Sequence, residues 1–256
     1  MYRYSICITL VYRIIIMNKF LTTILILLSV TSFGQQMTSS TLEEEAKTNK
    51  RLLPKYGLLP KSEREISADK DFIKETMKQH HFNGDPRAAS DHMIKLGFNY
   101  LNRRDLKTAM YRFNQAYLLD TTNTDIYWGY GAFYMTLGNY EEGKKQYTEG
   151  LSRNPENTHL LTDYGTYFMS QYYELKQAGH EKDALTNLES ALTYLNKSFI
   201  IDKEDQNTIY KLSICYAMKG DCEKAWEFYE KCKELGGQAI TDEYTSELKK
   251  KCKRAK

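Results

Sequence analysis

The sequence predicts an all-α protein built from helical hairpins stacked side by side. Three observations support this. Only 4 prolines and 14 glycines occur in 256 residues, which leaves little material for turns. Period-two apolar alternation, the mark of half-buried strands, is scarce. Gly97, Gly131 and Gly165 recur at one constant interval, and Tyr100, Tyr134 and Phe168 follow three positions behind them. A fixed interval of that length means one helical unit used repeatedly, each copy needing a neighbour to bury its apolar face.

Residues 1–34 read as a targeting segment. Met17-Asn18-Lys19 makes a short positive start, Phe20 to Val30 is an apolar run of signal-peptide length, and Thr31-Ser32-Phe33-Gly34 places small residues before a cut after Gly34. No cysteine stands at that cut, so a lipid anchor is not expected. Arg3 and Arg13 interrupt the preceding stretch, and translation is expected to begin at Met17. An uncleaved membrane anchor is the alternative. The same segment accounts for the formal charge of +3: it holds Arg3, Arg13 and Lys19 and no acid, and the remainder balances at 33 basic and 33 acidic groups. A balanced chain has no global pull toward nucleic acid or anionic lipid, so no nucleic-acid partner is expected.

Residues 35–65 form a polar arm, with Glu43-Glu44-Glu45 and two Leu-Pro pairs in LLPKYGLLP. It is expected to be flexible or extended, with apolar patches that can dock on the helices. A covering helix is expected within 66–87, from Ser67 to Gln79, setting Ile66, Phe72, Ile73 and Met77 over the open end of the first hairpin.

The repeats then occupy 88–239, in units 88–123, 124–157, 158–205 and 206–239. Ahead of the three glycines sit Met93-x-x-Leu96, Tyr127-x-x-Tyr130 and Leu161-x-x-Tyr164. Ala109, Phe113 and Ala116 of the first unit return as Gly143, Tyr147 and Gly150 in the second, and Asp120 and Asn154-Pro155 close the two units. The pattern resembles the tetratricopeptide repeat family, whose units run aromatic, Leu-Gly, Tyr, then Ala, Phe, Ala and Pro at the same interval. The agreement is best in 124–157, including its Gly138-Asn139-Tyr140 turn. The resemblance implies a right-handed αα-superhelix of about four hairpins, here in an exported bacterial form. Small residues at Gly97, Gly131, Gly165, Ala109 and Gly143 let paired helices approach, and Tyr100, Tyr134, Tyr147 and Tyr229 fill the space between hairpins.

The third unit departs from the pattern. Its first helix starts in register at Thr158, but Ala191, Leu195 and Ser198 arrive late, about four helical turns beyond where the repeat would put them. Tyr164, Phe168, Tyr172 and Leu175 continue one helical stripe, while Leu185, Leu188, Leu192 and Leu195 form another. Two longer helices meeting near Gly179 are therefore predicted, lengthening the hairpin by about 10 Å. The fourth unit resumes with Ile209, Leu212, Ser213 and Tyr216, then Gly220-Asp221, Ala225 and Tyr229. Gly236-Gly237 stops it, and 240–256 hold a closing helix from Asp242 to Lys251 with a basic tail. Lys249, Lys250, Lys251, Lys253 and Arg254 suit the negative end of a helix dipole; contact with an acidic membrane surface is the alternative.

Four of the five cysteines, Cys215, Cys222, Cys232 and Cys252, gather toward the C-terminal end. If helices alternate up and down along the stack, Cys222 opens one helix where Cys252 ends another, and a disulfide between them is predicted. Cys215 and Cys232 are expected as buried thiols, and no Cys-x-x-Cys spacing supports a metal site.

Nothing in the sequence carries catalysis: His-Glu-x-x-His, Gly-x-Ser-x-Gly and phosphate-cradling loops are missing. His80 and His81, with Asp85 and His92 nearby, make a poor chelating set. Neither enzyme activity nor a cofactor is expected. Binding is the role the resemblance implies, on the face lined by the first helix of each hairpin. Counted residue by residue, that groove takes Ile94, Phe98, Trp128, Met135, His159, Met169 and Tyr210. The carboxylate clamp of the family's chaperone-binding members would fall on Ile94, Phe98, Gly129, His159 and Asp163. It is absent here, and Asp163 would repel a carboxylate. The expectation is a non-catalytic adaptor or scaffold of the bacterial envelope for a protein or peptide, with the arm as a candidate cover for part of the groove. The alternatives are an envelope component that binds glycan or peptidoglycan, or a purely structural subunit.

Overall fold

A computed structural model describes residues 39–253; the signal-like segment and the last residues of the basic tail lie outside them. Every regular element among the described residues is helical, and no strand occurs among them. The chain opens with α1 (Ser39–Ala46), 3₁₀ turns at Lys50–Leu52 and Pro54–Leu58, α2 (Glu63–Met77) and a third 3₁₀ turn at His80–Phe82. Four hairpins follow: α3 (Pro86–Asn102) with α4 (Leu106–Leu119), α5 (Asp125–Thr136) with α6 (Tyr140–Arg153), α7 (Thr158–Gln177) with α8 (Glu181–Ile201), and α9 (Gln206–Lys219) with α10 (Cys222–Glu234). A final helix, α11 (Asp242–Lys251), closes the stack.

Short polar residues fix where these helices begin. The side chains of Asp105, Asn139, Asn157 and Asp221 each accept a backbone N–H from the first turn of the helix that follows, satisfying a donor that the helix itself leaves unpaired. The second, third and fourth hairpins turn at Gly138, Gly179 and Gly220, with φ of +75°, +81° and +86°. In the first hairpin the same left-handed position falls to Arg104, at φ +62°. Close approach within a hairpin is set by Gly97 and Gly131, where any Cβ would overlap the rings of Phe113 and Tyr147 respectively.

The third hairpin is lengthened as the sequence predicts: α7 and α8 have 20 and 21 residues, against 12 and 14 for α5 and α6. Its extension is packed rather than loose, because Tyr172, Ala184 and Leu188 join the buried cluster that runs on through Leu212, Cys215 and Phe228 into the fourth hairpin. At the end of the stack, α11 buries Tyr244 and Leu248. The Tyr244 hydroxyl lies 2.6 Å from Ser213 Oγ. Cys222 and Cys252 are joined by a disulfide, and Cys215 and Cys232 are buried free thiols. Burial pushes the Cys215 thiol up to about 12.

Two expectations for the N-terminal part need correction. The arm is neither extended nor loose: it folds into α1 and two tight turns and buries Leu42, Leu52 and Tyr56. The covering helix starts earlier than expected, at Glu63, because Ser62 and Glu65 form a reciprocal capping box. Ile66 is 41% exposed rather than packed over the first hairpin. Phe72, Ile73 and Met77 are half-buried.

Candidate functional site

The first helices α3, α5, α7 and α9 line one face of the stack. On it, one aromatic ring from each of three successive helices meets the next. Phe98 packs on Trp128 with ring centroids 4.0 Å apart, and His159 stacks on Trp128 at 4.4 Å with planes only 14° apart. Polar groups hold this ladder in place. Trp128 Nε1 donates to Asp163 Oδ2 at 2.7 Å, and His159 Nδ1 lies 3.2 Å from Asp125 Oδ2. Asp125 is itself held by Asn157, whose side-chain amide donates to it at 2.7 Å.

The same device occurs one unit earlier, where Asn123 Nδ2 donates to Asp91 Oδ1 at 2.6 Å. Asn123 and Asn157 stand one repeat apart, as do Asp91 and Asp125. Each asparagine ties the loop before a hairpin to the first helix of the previous one. Sequence reasoning missed these ties, although their spacing is itself a repeat signal: locally they read as ordinary loop composition.

Beyond His159 the ladder opens onto a pocket of about 410 Å³. Trp128, His159, Thr162 and Asp163 form one side, and Asp202, Asp205, Asn207 and Lys211 the other. Burial pushes the Asp163 carboxyl up, opposed by Lys211, the Trp128 N–H and His159. His159 is raised above its usual value, chiefly by its hydrogen bond with Asp125. Burial acts to raise Asp125 as well, but the hydrogen bonds from His159 and Asn157 outweigh it and hold that carboxyl low. The pocket thus presents an aromatic wall, hydrogen-bonding groups of both kinds, and charges of both signs.

Not all groove positions counted from the family pattern reach this face. Phe98, Trp128 and His159 come together there. Ile94 is only 4% exposed and Met169 8%: both are core, Met169 within the cluster around Tyr172 and Ala184, so neither can anchor a partner. Met135 folds back against Gly143 at the start of α6 instead of projecting outward. Tyr210 lies apart, edge-on to Tyr244 at 5.2 Å, in a separate cleft near α11. Gly129 is buried against Phe113 and has no room for a side chain.

The arm does not cover this ladder. It lies across the second helices, α4 and α6. There Asn114 donates to the carbonyls of Arg51 and Leu53 at 2.8 and 2.9 Å, and accepts from Lys55 N at 2.8 Å and from the Tyr130 hydroxyl at 2.7 Å. Lys55 Nζ reaches Glu149 at 2.7 Å. Among the described residues, no group of three His, Cys, Asp or Glu side chains is placed to hold a metal ion. No described helix is long and apolar enough to cross a membrane.

Residues 124–157 match the model of the tetratricopeptide repeat. Among solved structures the chain is similar to that of MamA, at 16% identity over 74% of this chain and 99% of that one, with a TM-score of 0.41. It is similar to pilF of Pseudomonas aeruginosa at 18% identity over 64% and 85% of the two chains, with a TM-score of 0.35. It is similar also to YrrB, described as a TPR protein with an unusual peptide-binding site, at 17% identity over 68% and 97%, with a TM-score of 0.30. Likenesses of this size carry neither a site nor a partner across. Among curated proteins none matches the chain.

Proposed function

We propose that this chain, a tetratricopeptide-repeat protein, is a non-catalytic adaptor that binds a protein or peptide partner on its first-helix face. The observation that carries this reading is the ladder of Phe98, Trp128 and His159 opening onto the pocket bounded by Asp163, Asn207 and Lys211. Aromatic side chains fixed by hydrogen bonds make low-entropy anchors, and a pocket with donors, acceptors and both charges can satisfy a peptide backbone and its side chains together. A half-exposed surface of this kind is more costly to leave in water than a purely polar one.

Export to the envelope is part of the proposal, and it rests on the signal-like run from Met17 to Gly34 alone. Stacking on a sugar is the weaker reading, because Phe98 and His159 already pack on the indole of Trp128 and leave little of it for a glycan ring. The test is affinity capture from solubilised envelopes with the wild-type chain and with the Phe98→Ala, Trp128→Ala double variant, each first checked by thermal melt. We expect a protein partner that the folded variant loses. An unchanged set of captured proteins, or a Trp fluorescence response to cell-wall fragments with no protein partner at all, contradicts the reading.

A further inference from the structure

The second-helix face holds a pocket of its own, about 540 Å³, between the docked arm and α6. Leu42, Leu53, Leu58 and Tyr134 give it apolar walls, and Gln146 and Glu149 line its polar side. A cleft of this size and composition is within the range that binds ligands. Its position on the opposite helices makes it separate from the Trp128 ladder.

Three features of this pocket point to an occupant. Gln146 is buried, and its Oε1 has no hydrogen-bond partner. Buried acceptors in native proteins are almost always paired, so a lone one beside a cavity marks the place of a missing donor. Leu58 stands at the rim 72% exposed. It is held there by a left-handed turn in which Lys55, Tyr56 and Leu58 have φ of 56°, 57° and 54°. Such conformations persist only where the surroundings impose them, and they gather at ligand clamps. Here the imposing contacts are Asn114 to the Lys55 N–H and Glu149 to its ammonium. Finally, one carboxylate of the pocket is left over. Lys55 and Arg153 both answer Glu149 and Lys145 answers Glu142, while no cation pairs with Glu43 among the described residues.

We propose that this pocket is a second binding site, for an extended peptide segment of a partner that carries a leucine-like side chain beside a lysine or arginine. The apolar side chain fills the space between Leu42, Leu53 and Leu58. The Gln146 amide turns into the cleft to accept an N–H of the segment, whose cation faces Glu43.

The test is fluorescence anisotropy of the full chain with two labelled, acetylated peptides, one alternating leucine with lysine and the other leucine with glutamate. The lysine peptide is expected to bind at least about tenfold more tightly, since like charges facing one another are costly. Gln146→Met and Leu58→Ser should each weaken it about fivefold, the size of one hydrogen bond or one lost apolar contact. Leu58 is at the surface, so that variant keeps the fold whatever happens at Gln146. Trp128→Ala should leave this binding unchanged, which separates the site from the first-helix face. Equal binding of both peptides, or wild-type affinity in both Gln146→Met and Leu58→Ser, overturns the proposal. Silence from both peptides does so too, and is the result expected if residues upstream of Ser39 or a second copy of the chain already fill the pocket.

Discussion

The two faces of this solenoid are built from the same repeat yet are finished differently. On the first-helix face, Phe98, Trp128 and His159 form a ladder with its end open to solvent at a charged pocket. On the second-helix face the chain has laid its own N-terminal arm, held by the buried amide of Asn114 and by Lys55. The contrast teaches that periodicity decides how hairpins stack but not which surface stays available. That is settled by contacts between residues far apart in the chain, such as Arg51 and Asn114.

The strongest way to break the contrast is to release the arm. Asn114→Ala removes four hydrogen bonds at once and leaves the buried Tyr130 hydroxyl without its acceptor, for an expected loss of about 3 kcal/mol. Thermal melts measure the loss, and limited proteolysis should then cut between Ala46 and Glu63 while the hairpins stay resistant. An arm that remains protected would show that Leu42, Leu52 and Tyr56 hold it without the amide.

The far end of the stack offers a covalent counterpart. There α11 is tied to α10 by the Cys222–Cys252 disulfide, across a separation of 30 residues. Replacing both cysteines by serine should cost about 2–4 kcal/mol. Hydrogen exchange should rise in α11 first and leave the Trp128 ladder unchanged.

A smaller effect, of opposite sign, concerns the hairpin turns. Arg104 occupies the left-handed position that glycine takes in the other three hairpins. Arg104→Gly should therefore stabilise the first hairpin, by about 0.5–1 kcal/mol, read as a raised melting temperature.

The repeat itself was legible, and for a physical reason. Gly97 and Gly131 must be small because Phe113 and Tyr147 press on them, so packing writes itself into the sequence at fixed spacing. The lengthened third hairpin was legible too, since its extra turns keep one apolar stripe per helix. The arm was only half legible. LLPKYGLLP carries Leu52 and Tyr56, which dock, beside Leu58 and Leu59, which stay exposed; Asn114 sits among polar surface residues in the pattern, and nothing local reveals that it is buried. Ile94 and Met169 misled because family groove positions are counted along the helix, and counting cannot register how far neighbouring helices close over a given residue. Asn123 and Asn157 carry the repeat in their spacing, but polar loop residues lack the apolar stripe that makes helical positions stand out.

The smallest effect sharpens the open face. His159 has its value raised by Asp125, so their pairing stabilises the fold fully below the ordinary histidine range. That contribution is lost as pH rises through the raised folded value. The imidazole is 53% exposed, and solvent screening should keep the contribution below about 1 kcal/mol. Because the ring stacks on Trp128, a fluorescence titration should show a step above pH ~6.5 that His159→Gln abolishes. A step unaffected by that substitution would place the titrating group elsewhere.

The claim that the first-helix face receives the partner is tested most directly by site-specific photocrosslinking in the native cell. A photoreactive side chain is placed at Asn207, which lines the pocket, and in a second strain at Thr186, exposed on α8. A discrete protein adduct is expected from position 207 that disappears with Trp128→Ala, and none from position 186. An adduct from position 207 that persists unchanged in Trp128→Ala, or no adduct there at all, would contradict it.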